Sequence, residues 1–142
     1  MIICDNEQFK EAAEFYAAKL GIPDSTIIVV GVYPDMPVAG YCEYHDEDVY
    51  PYFIVGIEDN DEESGEEDPI AVLAHEMVHV KQYANGELVD HGKYCSWHGK
   101  KYEADEANSE NYFFSPWEIE SFGMQVGLYR LYLRHIEAQQ VI

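Results

Sequence analysis

The sequence predicts a small α+β domain with an N-terminal helix, a three-stranded sheet, a central helix and a long C-terminal helix. A helical apolar pattern occupies residues 7–20, and three β-branched or alternating segments lie within residues 26–57. Two further helical patterns follow at residues 69–84 and 117–139. With 47% hydrophobic residues, the chain can form one packed core, so residues 1–142 are expected to make a single domain.

The N-terminal helix is predicted from its cap, its apolar face and its stop signal. Asn6 or Asp5 can cap the helix, and Gly21 can end it. Residues at helical spacing supply one apolar face: Phe9, Ala12, Ala13, Tyr16, Ala17 and Leu20. The helix is therefore expected to belong to the scaffold.

Three segments have the patterns of β-strands. Residues 26–33 are nearly continuously apolar, which is typical of a central strand covered on both faces. Residues 39–45 alternate between apolar and polar side chains. In residues 50–57, the positions of Pro51 and Gly56 favour an edge strand over a central one.

An acidic segment separates the strands from the central helix. Residues 58–68 contain eight carboxylates but lack the ligand spacing of a calcium loop, so they are expected to form a solvated loop. Asp68 can cap the central helix and Pro69 suits its first turn, while Asn85 and Gly86 can end it.

The rest of the chain is predicted to be an aromatic connection followed by a helix. Residues 87–115 show no regular period and are predicted to form a connection with a short helical piece at 102–108. Pro116 opens the C-terminal helix. Its predicted apolar face consists of Phe122, Val126, Tyr129, Leu133 and Ile136.

The central helix contains the sequence His75-Glu76-Met77-Val78-His79. Because residues four apart share one face of an α-helix, His75 and His79 can chelate one zinc ion. Glu76 would lie beside the metal, where a general base for an activated water is needed.

A catalytic zinc site needs a third protein ligand and leaves one position for water. Helical geometry places Glu118 beside the predicted inward face of the last helix and Glu120 nearly opposite, so Glu118 is favoured. Alternatives for this ligand remain open: Glu120, His91, His98 and Cys95. Candidates to stabilise a developing oxyanion are His98 and Tyr102, together with His91, Tyr94 and Tyr112.

These motifs resemble those of a minimal zincin, with His75-Glu76-x-x-His79 on one helix and a carboxylate on a later one. Within that clan the chain is more similar to gluzincins, in which a downstream helical glutamate completes the site. It also resembles short zincin-like peptidases of phages and bacteria, which combine a motif followed by Val-Lys-Gln-Tyr with a downstream Pro-Trp-Glu-x-Glu. The resemblance implies a zinc peptidase in which His75, His79 and Glu118 bind the metal and Glu76 activates water. It also implies that an edge strand, here residues 52–57, receives extended substrate.

One position departs from the gluzincin pattern. Gluzincins often place Asp or Asn four residues after the ligand glutamate, to orient a motif histidine. That position is Phe122 in this chain. Either other residues orient the histidines, or Glu118 is not the ligand.

The charge of the chain limits its partners. A formal net charge of −20 disfavours binding to nucleic acid or an anionic membrane and favours a basic protein or peptide substrate. Three cysteines and an N-terminus without a signal-peptide pattern predict reduced thiols and a cytoplasmic location. The competing hypothesis is an acidic binding protein or decoy whose zinc site is structural and closed by a fourth protein ligand.

Overall fold

Helix α2 (Pro69–Ala84) runs through the centre of this α+β protein. The computed structural model describes residues 1–46, 49–60, 67–103 and 109–140. All residues from Ile70 to Val80 are buried, because α2 is packed on several sides. The predicted cap is confirmed: Asp68 Oδ1 accepts a hydrogen bond from the Ile70 amide at 2.9 Å.

Helix α1 (Glu7–Leu20) packs against α2 and has the predicted boundaries. The Asn6 side chain caps it by accepting hydrogen bonds from two backbone amides, and Gly21 ends it with a φ of 71°. The Tyr16 hydroxyl donates a hydrogen bond to the Ile70 carbonyl at 3.0 Å, which fixes α1 to the first turn of α2.

The main sheet has four strands, one more than the sequence predicted. In spatial order they are β1 (Ile2–Ile3), β2 (Ile27–Tyr33), β4 (Tyr52–Glu58) and β3 (Gly40–His45). Strand β2 is parallel to both of its neighbours, whereas β3 pairs antiparallel with β4. The added strand is two residues long, too short to leave a clear alternation in the sequence.

The prediction that the third segment forms an edge strand is wrong, because β4 lies between β2 and β3. Pro51 precedes β4, so it does not remove a donor from the ladder. Gly56 is covered by the ring of Tyr41 on the neighbouring strand; a Cβ there would lie 2.2 Å from that ring. The edge strand on this side is β3.

The expectation that β2 is covered on both faces is also wrong. Ile28 and Val30 are buried, but the alternate residues Ile27 and Val29 are only half-buried. The helices therefore cover one face of β2 more completely than the other. The run of β-branched residues did not distinguish a strand covered on both faces from a strand covered mainly on one face.

Residues 87–103, predicted to be irregular, form a second sheet. Its antiparallel strands are β5 (Leu88–Asp90), β6 (Tyr94–Trp97) and β7 (Lys100–Glu103). His98 and Gly99 make the turn between β6 and β7 with φ values of 49° and 84°. The prediction of a short helix that starts at residue 102 is wrong, because Tyr102 and Glu103 belong to β7. The rest of that predicted helix, residues 104–108, and positions 61–66 of the acidic segment lie outside the described residues.

The chain closes with helices α3 (Ser109–Phe114) and α4 (Pro116–Gln140), and α4 packs against α2. The predicted inward face of α4 is displaced around the helix, since Phe122, Val126 and Leu133 are exposed. The buried face consists of Glu118, Ser121, Gln125, Leu128 and Tyr132. Among the described helices, even α4 lacks an apolar stretch long enough to cross a bilayer.

Candidate metal centre

The packing of α2 against α4 brings His75, His79 and Glu118 together. His75 Nε2 lies 3.0 Å from Glu118 Oε1, and His79 Nε2 lies 3.0 Å from Glu118 Oε2. One potential ligand atom from each residue falls within 4.8 Å of the other two. All three side chains are buried, so the carboxylate bridges two imidazoles away from bulk water.

Hydrogen bonding between the two helices sets the position of this group. Ser121 is fully buried, and its hydroxyl donates a 2.6 Å hydrogen bond to the backbone carbonyl of His75. Because Ser121 lies one helical turn after Glu118, this bond fixes the height of the carboxylate relative to His75. The ring of Phe122 packs edge-on against the His75 imidazole, with ring centroids 4.4 Å apart.

Two glutamines orient the imidazoles. His75 Nδ1 lies 3.0 Å from Gln125 Oε1, and His79 Nδ1 lies 2.8 Å from Gln82 Oε1. An amide oxygen only accepts hydrogen bonds, so each Nδ1 carries the donated proton and each Nε2 faces Glu118. Phe122, four residues after Glu118, has no polar group that could orient a histidine. Gln125 orients His75 instead, and Gln82 orients His79.

The donor set suits zinc. Two imidazole nitrogens and one carboxylate are the ligand types of open catalytic zinc sites, and outer hydrogen bonds to the distal imidazole nitrogens are their usual accompaniment. In the described part of the chain, this is the one cluster that contains three potential metal ligands. If Zn²⁺ binds here, His75, His79 and Glu118 would hold it.

Glu76 lies next to this group but is not part of it. It lines a cavity of about 250 Å³ together with His79 and Glu118, and its side chain is buried. Burial raises the pKa of Glu76, an effect that the positive charges of His79 and His75 only partly offset. A carboxyl with a raised pKa accepts a proton more readily than an ordinary surface carboxylate.

Gly40, the first residue of edge strand β3, lies against helix α2. A Cβ at Gly40 would be 2.8 Å from a methyl carbon of Val72 and 3.3 Å from Glu76 Oε1. The missing side chain therefore allows the edge strand to reach Glu76. This close approach places the start of β3 on the wall of the cavity.

The pKa values of Glu118 and His79 are coupled by their contact. Burial opposes ionisation of Glu118, but hydrogen bonds from His75 and His79 outweigh it and lower the pKa of Glu118 to about 2. Burial likewise disfavours the charged form of His79, yet its hydrogen bond to Glu118 and the nearby negative charges raise the pKa of His79. A metal ion at this site must therefore compete with protons.

This coupling predicts the pH at which the metal-free protein is most stable. The raised pKa of His79 stabilises the fold below the unfolded value of 6.5, and this contribution is lost as the pH rises through the folded value. The lowered pKa of Glu118 stabilises the fold above 4.5, and this contribution is lost as the pH falls towards 2. The pair should therefore stabilise the fold most between pH 4.5 and 6.5.

Urea unfolding of the metal-free protein from about pH 3 to about pH 8 checks this expectation. The difference in unfolding free energy between wild type and Glu118→Gln isolates the contribution of the pair. That difference should peak in mildly acidic solution. A difference that does not change with pH would contradict the coupling.

The alternative third ligands do not join the group. His98 is exposed in the β6–β7 turn, and His91 is exposed with its ring stacked on Tyr94. Cys95 lies on β6 and is half-buried. Glu120 is half-buried rather than directed away from α2, and it pairs with Lys81 instead of the imidazoles.

The two suggested oxyanion donors also lie elsewhere. The ring of His98 packs against Trp97, and the ring of Tyr102 packs edge-on against Trp117. Tyr112, another tyrosine considered from the sequence, instead lines the cavity with Glu76 and Glu118. Burial and the negative charge of Glu118 raise the pKa of Tyr112, so its hydroxyl remains a proton donor at neutral pH.

A second cavity extends from the first along β3. Its volume is about 500 Å³, and it shares Cys42, Tyr83 and Leu88 with the cavity beside Glu76. Asp46 and Asp90 also line it. The two cavities form a cleft between edge strand β3 and strand β5, beginning at the candidate metal centre and ending among carboxylates.

Comparison of the chain with protein-family models, curated proteins and solved structures gave no match. The functional assignment consequently depends on the geometry of the site.

Gln82 and Gln125 were not singled out from the sequence, although their spacing carried a signal. Gln82 follows His79 by three residues, and Gln125 follows Glu118 by seven, so each shares a helix face with a proposed ligand. Glutamine on a buried face needs polar partners, which a histidine ligand can provide.

Proposed function

We propose that this protein is a zinc-dependent peptidase that hydrolyses protein or peptide substrates. The observation that carries the proposal is the buried group of His75, His79 and Glu118, with Glu76 beside it in a cavity that continues along an edge strand. Zn²⁺ bound by that group would lower the pKa of a water ligand and polarise a substrate carbonyl. The cytoplasm is the proposed compartment, based on the sparse cysteines, which form no disulfide among the described residues.

The residues around the group have distinct roles in this reaction. Glu76 removes a proton from the water that attacks the peptide carbonyl carbon and delivers it to the departing amine as the C–N bond breaks. The Tyr112 hydroxyl, which lines the same cavity as Glu76 and Glu118, donates a hydrogen bond to the oxyanion that develops on the substrate. This assignment gives Tyr112 the role that the sequence suggested for His98 or Tyr102.

Edge strand β3 replaces β4 as the proposed support for an extended substrate. The edge of β3 away from β4 has no strand paired to it within the described sheet, and Gly40 and Cys42 line the cavity that contains Glu76. Backbone groups of a peptide can add to such an edge. The carboxylates at the far end of the cleft and the net charge of −20 favour substrates rich in Lys and Arg.

We favour an open metal site, which keeps a position for water, over the closed site of the structural-zinc hypothesis. Among the described residues, the group has three members, and the remaining side presents Glu76 and a cavity. A structural zinc site normally has four protein ligands. Three ligands beside a cavity leave a position for water.

The test is cleavage of matched peptides by the zinc-loaded protein. A Lys/Arg-rich peptide and a Glu/Asp-rich peptide of equal length are incubated with the protein, and the products are identified by mass spectrometry. The basic peptide should be cleaved faster, a chelator should stop cleavage, and added zinc should restore it. If a folded chain that holds one zinc ion cleaves neither peptide, the peptidase proposal fails; if it also binds the intact basic peptide, the acidic binding-protein hypothesis is supported.

A further inference from the structure

Gln82 connects the second motif histidine to the first turn of α4. Its Oε1 atom accepts a hydrogen bond from His79 Nδ1 at 2.8 Å. Its Nε2 atom donates to the Trp117 carbonyl at 2.9 Å and to Glu120 Oε1 at 3.2 Å. The side chain is fully buried, so water does not replace these partners.

These contacts determine which way the Gln82 amide points. The amide nitrogen has two hydrogens, and the two acceptors lie on the side of α4. A rotation of the amide by half a turn would place its oxygen against two other oxygens and its nitrogen against His79 Nδ1. The observed orientation is therefore the one in which every contact pairs a donor with an acceptor.

We propose that Gln82 is a positioning residue that fixes the His79 tautomer for metal binding, and that the Trp117 carbonyl and Glu120 hold it in place. With its oxygen fixed towards Nδ1, the amide keeps the imidazole proton there and leaves the Nε2 lone pair for the metal. The inference rests on the metal site of the proposed function, but it holds whether that zinc is catalytic or structural.

Lys81 allows Glu120 to take part in this arrangement. Lys81 Nζ lies 2.9 Å from Glu120 Oε1 and 2.9 Å from Glu87 Oε1. The ammonium group compensates the Glu120 carboxylate, which can then accept from Gln82 close to the ligand group without an uncompensated charge. Lys81 thus contacts Glu120, Glu120 contacts Gln82, and Gln82 contacts His79.

Zinc affinity, measured by competition with a chelating dye, tests the proposal. Gln82→Met has a similar size but cannot form these hydrogen bonds, and it should weaken zinc binding about 10–100-fold. Glu120→Ala should weaken binding less, because the Trp117 carbonyl still accepts from Gln82. Glu120→Gln should stay within about threefold of wild type, since its amide oxygen can accept the same bond.

Glu87→Gln is the matched control, because the Glu87 side chain also contacts Lys81, whereas its contact with Gln82 is a hydrogen bond between backbone atoms that the substitution keeps. It should leave zinc affinity unchanged. If Gln82→Met lowers the melting temperature but binds zinc within about threefold of wild type, the residue is merely structural and the proposal is overturned.

A second measurement decides the matter if Gln82→Met does not fold. Long-range ¹H–¹⁵N NMR spectra of the zinc-loaded wild-type protein show which nitrogen of His79 keeps its proton. A proton on Nδ1 and metal on Nε2 support the proposal, and the reverse overturns it. Both measurements are independent of peptide cleavage, so failure of the peptidase proposal would be seen separately.

Discussion

Glu76→Gln should retain one zinc ion per chain and lose peptidase turnover by about 10²–10⁴-fold. The amide has nearly the shape of the carboxylate but cannot take a proton from water. Glu76 lies beside the three proposed ligands rather than among them, so its neutralisation leaves the donor set intact. Turnover is measured by quantifying cleaved peptide, and zinc content by elemental analysis of the same preparation.

Glu14→Gln provides the control for this substitution. Glu14 is an exposed glutamate on α1, so the same chemical change there should alter neither turnover nor zinc content. Unchanged turnover in Glu76→Gln would exclude Glu76 as the base. Loss of zinc from that variant would instead mean that Glu76 helps to hold the metal.

Glu118→Gln should weaken zinc binding by more than about 100-fold, since loss of an outer partner alone costs about 10–100-fold. The substitution replaces an anionic ligand with a neutral amide. It also replaces one of the two carboxylate oxygens, each of which lies 3.0 Å from one imidazole Nε2 atom, with an NH₂ group that cannot accept a hydrogen bond. Zinc affinity is measured by dye competition, with circular dichroism used to confirm that the variant is folded.

Two other glutamates on α4 make this test specific. Glu120→Gln should have a much smaller effect, because Glu120 contacts Gln82 and Lys81 rather than the imidazoles. Glu137→Gln changes an exposed residue of the same helix and should have no effect. Normal zinc affinity in Glu118→Gln would overturn the assignment of the third ligand.

The pair of glutamines gives this site a different electrostatic character from one with carboxylate outer partners. Gln82 and Gln125 are neutral, so Glu118 supplies the negative charge among the side chains that contact the two imidazoles. The ligand set would thus leave a bound divalent ion with a net positive charge, which favours deprotonation of water. Phe122, which stands where gluzincins often have Asp or Asn, packs against His75 instead.

Local spacing predicted the residues that depend on one helix. His75 and His79 share a face because they are four residues apart, and Asp68 caps their helix because its carboxylate can reach the first free amides. Glu118 was favoured as an inward residue because helical geometry places it beside Phe122, Tyr129 and Ile136 on the predicted apolar face. It is buried, but it lies at the border of that face and of the true buried face, which includes Ser121 and Gln125.

The strand order required tertiary information. Pro51 and Gly56 suggested an edge strand, but Pro51 precedes β4 and the Tyr41 ring covers Gly56. Both facts depend on which strand lies next to β4, and local sequence does not encode that neighbour. The same holds for His98 and Tyr102, whose directions are set by the pairing of β6 with β7.

The sequence by itself determined the three long helices, the caps of α1 and α2, the mixed α+β class and the pair of histidines beside Glu76, because each depends on residues a few positions apart. The tertiary structure decided which carboxylate meets the two imidazoles, which strand forms the edge, and that Gln82, Gln125 and Tyr112 surround the site. These features depend on how different elements pack together, as in the contact between His75 and Glu118, which are 43 positions apart. Helix packing and strand pairing, rather than local periodicity, fix such contacts.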